Sequence, residues 1–258
     1  LMEDNDALDG ILLEDFVYEN MKRTCFLVDV PTTDNCEVRV SGCIFRNCVN
    51  SGNEGIFHVG GQSDSIQLNM ESCLFEDCKP SSGAFVVCVN VESQLTADST
   101  NTINFENTTI TYDDNFDEQT AMGIKIDNKY KSATIHNCTF NRLYKTGGGF
   151  PWVNTFSLSK LTHIEVSEST FIRCGVFGED DSGGNVIGIT GEVATEAIVR
   201  NCTFDCVAAA IVSYTEDIEI LGNEFISCSK NTVRISAHRG GKGFQLIENY
   251  FHDSNKGS

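Results

Sequence analysis

A tetrad like Asn201-Cys202-Thr203-Phe204 returns along most of this chain at intervals too short for any free-standing domain. Its copies close on Phe45, Phe75, Ile110, Phe140, Phe171, Phe204, Phe225 and Phe251, which lie 30, 35, 30, 31, 33, 21 and 26 residues apart. A unit of that size cannot enclose a core of its own, so neighbouring units must stack and share one.

The residues around each anchor say what kind of unit it is. Apolar side chains stand five and seven positions before it: Val40 and Val38, Met70 and Leu68, Phe105 and Ile103, and so on to Leu246 and Phe244. That alternation belongs to a strand with one buried face. A small residue (Cys, Thr, Ser or Asn) sits two positions before the anchor, and Cys48, Cys78, Cys174 and Cys228 stand three positions after it. A further alternating run follows in each unit, as at 55–61, 83–91, 121–126, 185–189 and 209–213. Helical periodicity is absent. Rows of equivalent residues one strand spacing apart predict an all-β fold, a right-handed parallel β-helix solenoid of about eight coils with loop insertions. The coil between Phe204 and Phe225 is close to the smallest that can hold a core. Longer coils add loops at 47–54, 79–82, 112–120, 142–152 and 175–184, all leaving on one side.

The repeat argues for a single β-helix domain over 1–258, with 1–37 an irregular first coil or cap and 38–254 the regular coils. In the first part Phe16, 29 residues before Phe45, reads as a degenerate anchor with Leu13 and Ile11 as its apolar prefix. No stretch approaches the length of apolar chain needed for a transmembrane segment, and the acidic Leu1-Met2-Glu3-Asp4 opening is no signal peptide. The pattern is already under way by Ile11, which suggests a fragment of a longer protein.

The 37 acidic and 18 basic side chains are unevenly spread: residues 1–122 hold 22 acids and 5 bases, residues 123–258 hold 15 and 13. Nucleic acid is excluded as a partner, because binding it needs clustered Lys and Arg. Cations, a basic partner or plain solubility fit the acidity better.

Twelve cysteines support two readings. They could form the disulfide framework of a secreted chain, or serve as small buried side chains at tight inward positions. Adjacent coils bring Cys43 to Cys73 and Cys48 to Cys78 within disulfide range, and Cys25 with Cys36, outside the regular rows, is a further candidate bridge. The four-residue gaps in Cys43–Cys48 and Cys73–Cys78 are wide for structural zinc.

Three loop regions could carry a site. Asp113, Asp114, Asp117 and Glu118 bunch carboxylates that could hold calcium, without the glycine and closing glutamate of a calcium loop. Tyr144, Lys145 and Trp152 form an aromatic and cationic set suited to sugar rings, or to capping the loop against the wall. Arg234, His238, Arg239 and Lys242 make the densest basic patch, either an anion site or a surface corner. Sequons at Asn107, Asn137 and Asn201 share one repeat position and would be glycosylated in a secreted eukaryotic chain. Glycoside hydrolysis needs two carboxylates about 5 to 9.5 Å apart, whereas outward positions of the later strands are Lys125, Asn154 and Arg234. The five histidines are scattered, with no nucleophile elbow.

The Asn-Cys-Thr-Phe and Asn-x-x-Phe coils at 137–140, 201–204 and 222–225 resemble those of pectin-lyase-like right-handed β-helix proteins, and are similar to surface adhesins and polymorphic outer-membrane passenger domains. The resemblance covers about residues 38–254 and implies a non-enzymatic structural or adhesive surface module, extracellular or at the cell surface, in a filament or spike. Its partner would be a protein or glycan, or another copy end to end or side by side. The lyases and hydrolases of the superfamily imply the alternative, a carbohydrate-active enzyme or sugar-binding domain. Of the hydrolase motifs, Gly-His-Gly is missing and Arg234-Ile235-Ser236 matches only in part.

Overall fold

The computed structural model describes residues 10–30, 36–50, 55–61, 65–80, 85–91, 101–113, 122–127, 131–146, 154–159, 162–177, 185–190, 196–206, 209–215, 217–228, 232–235 and 243–252. All strand pairing among them is parallel, and each strand's neighbours in its sheet are the equivalent strands one coil away. The first sheet runs through nine strands from Gly10–Glu14 to Gly243–Ile247. The second follows the same order from Val17–Glu19 to Tyr250–His252, with Tyr144–Thr146 added beside Thr170–Phe177. The third runs through eight strands from Phe26–Val30 to Val233–Ile235. The architecture is an all-parallel, pectin-lyase-like β-solenoid whose coils carry one strand in each of three sheets.

Left-handed corners set this three-sided course, one before the anchor in every described coil and a second after it in six of the nine. Asp15, Gly42, Ser72, Asn107, Asn137, Glu168, Asn201, Gly222 and Glu248, with φ between 49 and 63°, turn the chain from the first sheet into the second. Asn20, Asn47, Asp77, Arg142, Arg173 and Ser227 turn it again two residues after the anchor. Positive φ is costly for most L-residues and least so for Gly, Asn and Asp, which explains why these types recur at both corners.

The anchors form one row in register: Phe45 with Phe75, Phe75 with Ile110, Ile110 with Phe140, and onward to Phe251. Rings stack nearly parallel, with centroids 4.5 Å apart for Phe45–Phe75 and 4.8 Å for Phe171–Phe204. The apolar prefix makes two more rows, Val38–Leu68–Ile103–Ala133 and Val40–Met70–Phe105–Ile135, both continuing to the last coil. These rows and the inward residues of the third sheet merge into one continuous core.

In the first coil the structure corrects the sequence reading. Tyr18, not Phe16, pairs with Phe45, and the two rings stack at 5.1 Å. Phe16 takes the position two before the anchor and is half exposed. That position holds a small residue in the other coils, and the end of the stack leaves room for a large one.

The corner rows explain the cysteines. Cys43, Cys73, Cys138, Cys174 and Cys202 are buried thiols. Each donates to nearby carbonyls, as Cys73 Sγ does to Val40 O at 3.6 Å and Cys174 Sγ to Phe140 O at 3.3 Å, one coil back. In the same row as Cys73, the Ser169 hydroxyl accepts the Cys138 N–H at 3.1 Å and the Asn223 carbonyl accepts that of Cys202 at 2.9 Å. A small side chain that hydrogen-bonds the backbone is what a corner requires, since peptide groups left unpaired inside are costly. Cys25, Cys36, Cys48 and Cys78 are likewise in no disulfide.

Candidate functional site

Between the buried rows, the first sheet turns Glu37, Arg39 and Ser41 outward, then Gln67, Asn69 and Glu71, then Thr102, Asn104 and Glu106. Register sets Arg39 beside Asn69, Asn69 beside Asn104, and Glu71 beside Glu106. Most of these residues, together with Gly10, Leu12 and Glu14 of the first coil, line a groove of about 830 Å³.

Hydrogen bonds fix the middle of its floor. Asn104 Nδ2 donates to Asn69 Oδ1 at 2.8 Å, Asn69 Nδ2 donates to Glu37 Oε1 at 3.2 Å, and Arg39 Nε donates to the same carboxylate oxygen at 2.6 Å. The bond to Glu37 holds the Arg39 guanidinium more firmly in its charged form. Glu14, Glu71 and Glu106 are exposed along one edge. Glu71 and Glu106 are one strand spacing apart, about 4.8 Å between backbones. A rigid row of amides beside a row of carboxylates can accept and donate hydrogen bonds to a polyhydroxylated chain lying along the axis. It also meets the most basic requirement of two-carboxylate chemistry, a pair of acids on rigid neighbouring strands.

The far half of the same wall differs. Arg200 donates to Glu165 Oε1 from Nη2 at 2.7 Å and from Nε at 2.9 Å, and this bond holds the Glu165 carboxyl below its ordinary range. His163 Nδ1 lies 3.4 Å from Glu196. Here charges pair across coils.

The residues singled out from the sequence are distributed as follows. Tyr144 and Lys145 lie on the short strand paired with Gly175 and Val176, while Trp152 is outside the described residues. Arg234 is exposed at the centre of the strand Val233–Ile235, and His238, Arg239 and Lys242 are outside the described residues. Asp113 is exposed, its backbone N–H donating to Asp77 Oδ1 at 2.8 Å, and Asp114, Asp117 and Glu118 are outside. Among the described residues no group of three or more His, Cys, Asp or Glu is placed to hold a metal ion. Asn107, Asn137 and Asn201 are exposed at the first left-handed corner, and Asn137 Nδ2 donates to Asn107 Oδ1 at 2.6 Å.

None of the sequence candidates among the described residues lines the groove. Its residues carry a usable signal nonetheless: four and six positions before successive anchors come Ser41 and Arg39, Glu71 and Asn69, Glu106 and Asn104. Reading outward positions only in the third sheet passes over them. No helix among the described residues is long and apolar enough to cross a membrane. Comparison with models of known protein families, with curated proteins and with solved structures finds no match to this chain.

Proposed function

We propose that this chain is a non-enzymatic structural and adhesive module of an extracellular or cell-surface filament or spike. The observation that carries the reading is the condition of the two ends of the stack. Phe244, Leu246 and Phe251 continue the buried rows into the last described coil, where each is about half exposed. At the other end Ile11, Leu13 and Tyr18 of the buried rows are only partly buried, and Phe16 is half exposed. An open coil presents apolar side chains and unpaired strand edges in the register that its own neighbours use, a surface suited to end-to-end packing of copies of this chain. Sedimentation and negative-stain microscopy of the chain test this. Axial assemblies that Leu246→Asp or Phe251→Asp disperse support it, and a monomer at all concentrations, indifferent to both substitutions, overturns it.

The groove favours a second reading, a sugar-binding or carbohydrate-active wall. Its amide and carboxylate rows suit a glycan, with Glu71 and Glu106 as the acids a hydrolase would use. A glycan array with and without calcium, run beside lyase and hydrolase screens on acidic polysaccharides, separates the two. Binding without turnover fits adhesion, whereas released product that Glu71→Gln and Glu106→Gln abolish makes the chain an enzyme. The calcium arm tests the acidic loop at Asp113, Asp114, Asp117 and Glu118.

A further inference from the structure

Among the described residues, the outer edges of Gly10–Glu14 and Val17–Glu19 at one end of the stack, and of Gly243–Ile247 and Tyr250–His252 at the other, pair with no further strand. One register runs between them: Ile11 faces Val38 and Tyr18 faces Phe45 at the start, while Phe244 faces Ile218 and Phe251 faces Phe225 at the finish. The same register, carried one step on, lays the first coil of a second copy on the last coil of the first. Phe244 then meets Ile11, Leu246 meets Leu13 and Phe251 meets Tyr18. On the last coil these contacts cover side chains that are 58, 47 and 53% exposed, and on the first coil side chains packed against the core from one side only. The ring row continues through the junction, since Phe251 stacks on Phe225 at 4.9 Å and Tyr18 on Phe45 at 5.1 Å. Outward positions agree. Tyr250 comes opposite Val17, both exposed, and His252, whose Nε2 lies 3.3 Å from Glu224 Oε1, comes opposite Glu19.

Charge sets the polarity of such a contact. Residues 1–30 hold eight acids and two bases, a net of −6, whereas residues 229–258 hold two acids and five bases, a net of +3 with the histidines neutral. Glu14, Asp15, Glu19 and Asp29 are exposed around the first coil, and Arg234 is exposed near the last. Two first coils brought together oppose acid to acid, and two last coils oppose base to base, while first on last sets unlike charges face to face. The backbone agrees. A like-with-like contact about a two-fold axis turns the facing strands antiparallel, whereas the end strands use parallel pairing.

We propose that each end of the stack docks on the opposite end of a second copy of this chain, head to tail, through residues 10–19 of one and 243–252 of the other. A heterologous contact along the solenoid axis leaves a free end at each side, so it repeats into an open filament. This inference rests on the axial-assembly reading above and adds to it the polarity and the register.

Blocking one end at a time tests it. Leu13→Asp spoils the first coil and leaves the last one free, and Leu246→Asp does the reverse. Far-UV circular dichroism checks that each variant is folded. Val17→Asp and Tyr250→Asp repeat the pair at exposed positions outside the core. In analytical ultracentrifugation the unsubstituted chain should grow with concentration, and each variant alone should stay monomeric. An equimolar mixture of Leu13→Asp and Leu246→Asp should double in mass and stop there, because one first coil and one last coil remain to be joined. Hydrogen exchange in that mixture should slow at 10–19 of the Leu246→Asp chain and at 243–252 of the Leu13→Asp chain. A variant that dimerises by itself, a mixture that stays monomeric, or protection of only one of the two segments overturns the head-to-tail contact, while assembly of the unsubstituted chain keeps the axial reading. An unsubstituted chain that stays monomeric at all concentrations overturns both.

Discussion

Truncating rings in the anchor row separates stacking from simple burial. Phe171 is fully buried between Phe140 at 5.1 Å and Phe204 at 4.8 Å. Phe171→Ala should therefore cost about 3–5 kcal/mol, the range for removing a buried phenyl ring. Phe251 keeps one ring neighbour, Phe225 at 4.9 Å, and is half exposed. Phe251→Ala should cost roughly 1–2 kcal/mol, since about half the area and one ring contact are lost. Coupling between sites sharpens the comparison. Phe171 and Phe204 touch, so their double-mutant cycle should show about 0.5–1.5 kcal/mol of interaction. Phe75 and Phe140 are separated by Ile110 and lie roughly two strand spacings apart, so their effects should add within about 0.5 kcal/mol. Urea unfolding followed by far-UV circular dichroism measures all of these, with the slope checked because stacked repeats can unfold in parts. Equal costs at Phe171 and Phe251, or coupling in the Phe75–Phe140 pair as large as in Phe171–Phe204, would refute the stacked row.

Other outcomes follow from the corners and the wall. At Gly61, with φ 130°, an added Cβ would lie 2.2 Å from the Val30 carbonyl oxygen, whereas at Gly243, with φ 127°, it meets nothing within 4 Å. Gly61→Ala should thus destabilise by more than Gly243→Ala, by roughly 1–3 kcal/mol or above in the same urea assay. Burial pushes the thiols of Cys73, Cys138, Cys174 and Cys202 up to about 12 from an ordinary 9.0. Their folded-state values are raised, so the stability they confer is complete below about pH 9 and falls as pH rises toward 12, by about 1.4 kcal/mol per pH unit for each thiol. Denaturation midpoints across that window check this, and Cys138→Ser should flatten the slope. Glu165 is partly buried but its partner Arg200 is exposed, so Arg200→Gln should cost about 1 kcal/mol or less. Because the Glu165 carboxyl is held low, that cost should be present at neutral pH and vanish as pH falls through its folded-state value.

Much of the fold was legible because a buried row leaves a mark on the sequence that an exposed row does not. The anchors and both prefix rows could be placed since each must be apolar in nearly every coil. The same rule locates the first anchor: Leu13 and Ile11 stand five and seven residues before Tyr18, so the prefix spacing marks Tyr18 even though Phe16 is the more conspicuous ring. The left-handed corners were harder to read, because Asn or Gly marks some of them while Glu168, Arg142 and Arg173 hold the same conformation without such a signature. The groove needed the register of neighbouring coils. Phe75 and Ile110 are 35 residues apart, and only by aligning anchors rather than counting residues does Glu71 come beside Glu106. The aromatic loop at Trp152 and the acidic loop beyond Asp113 drew attention by composition, which says nothing of which wall a loop shares.

The most direct test of the axial stack is a proton nuclear Overhauser spectrum of the chain with phenylalanine rings selectively labelled. Rings spaced 4.8, 5.1 and 4.9 Å along Phe171, Phe204, Phe225 and Phe251 should give cross-peaks only between successive members, with none across Ile110 from Phe75 to Phe140. Rings that show no contact with their row neighbours, or contacts that skip coils, would contradict the solenoid and everything built on its walls.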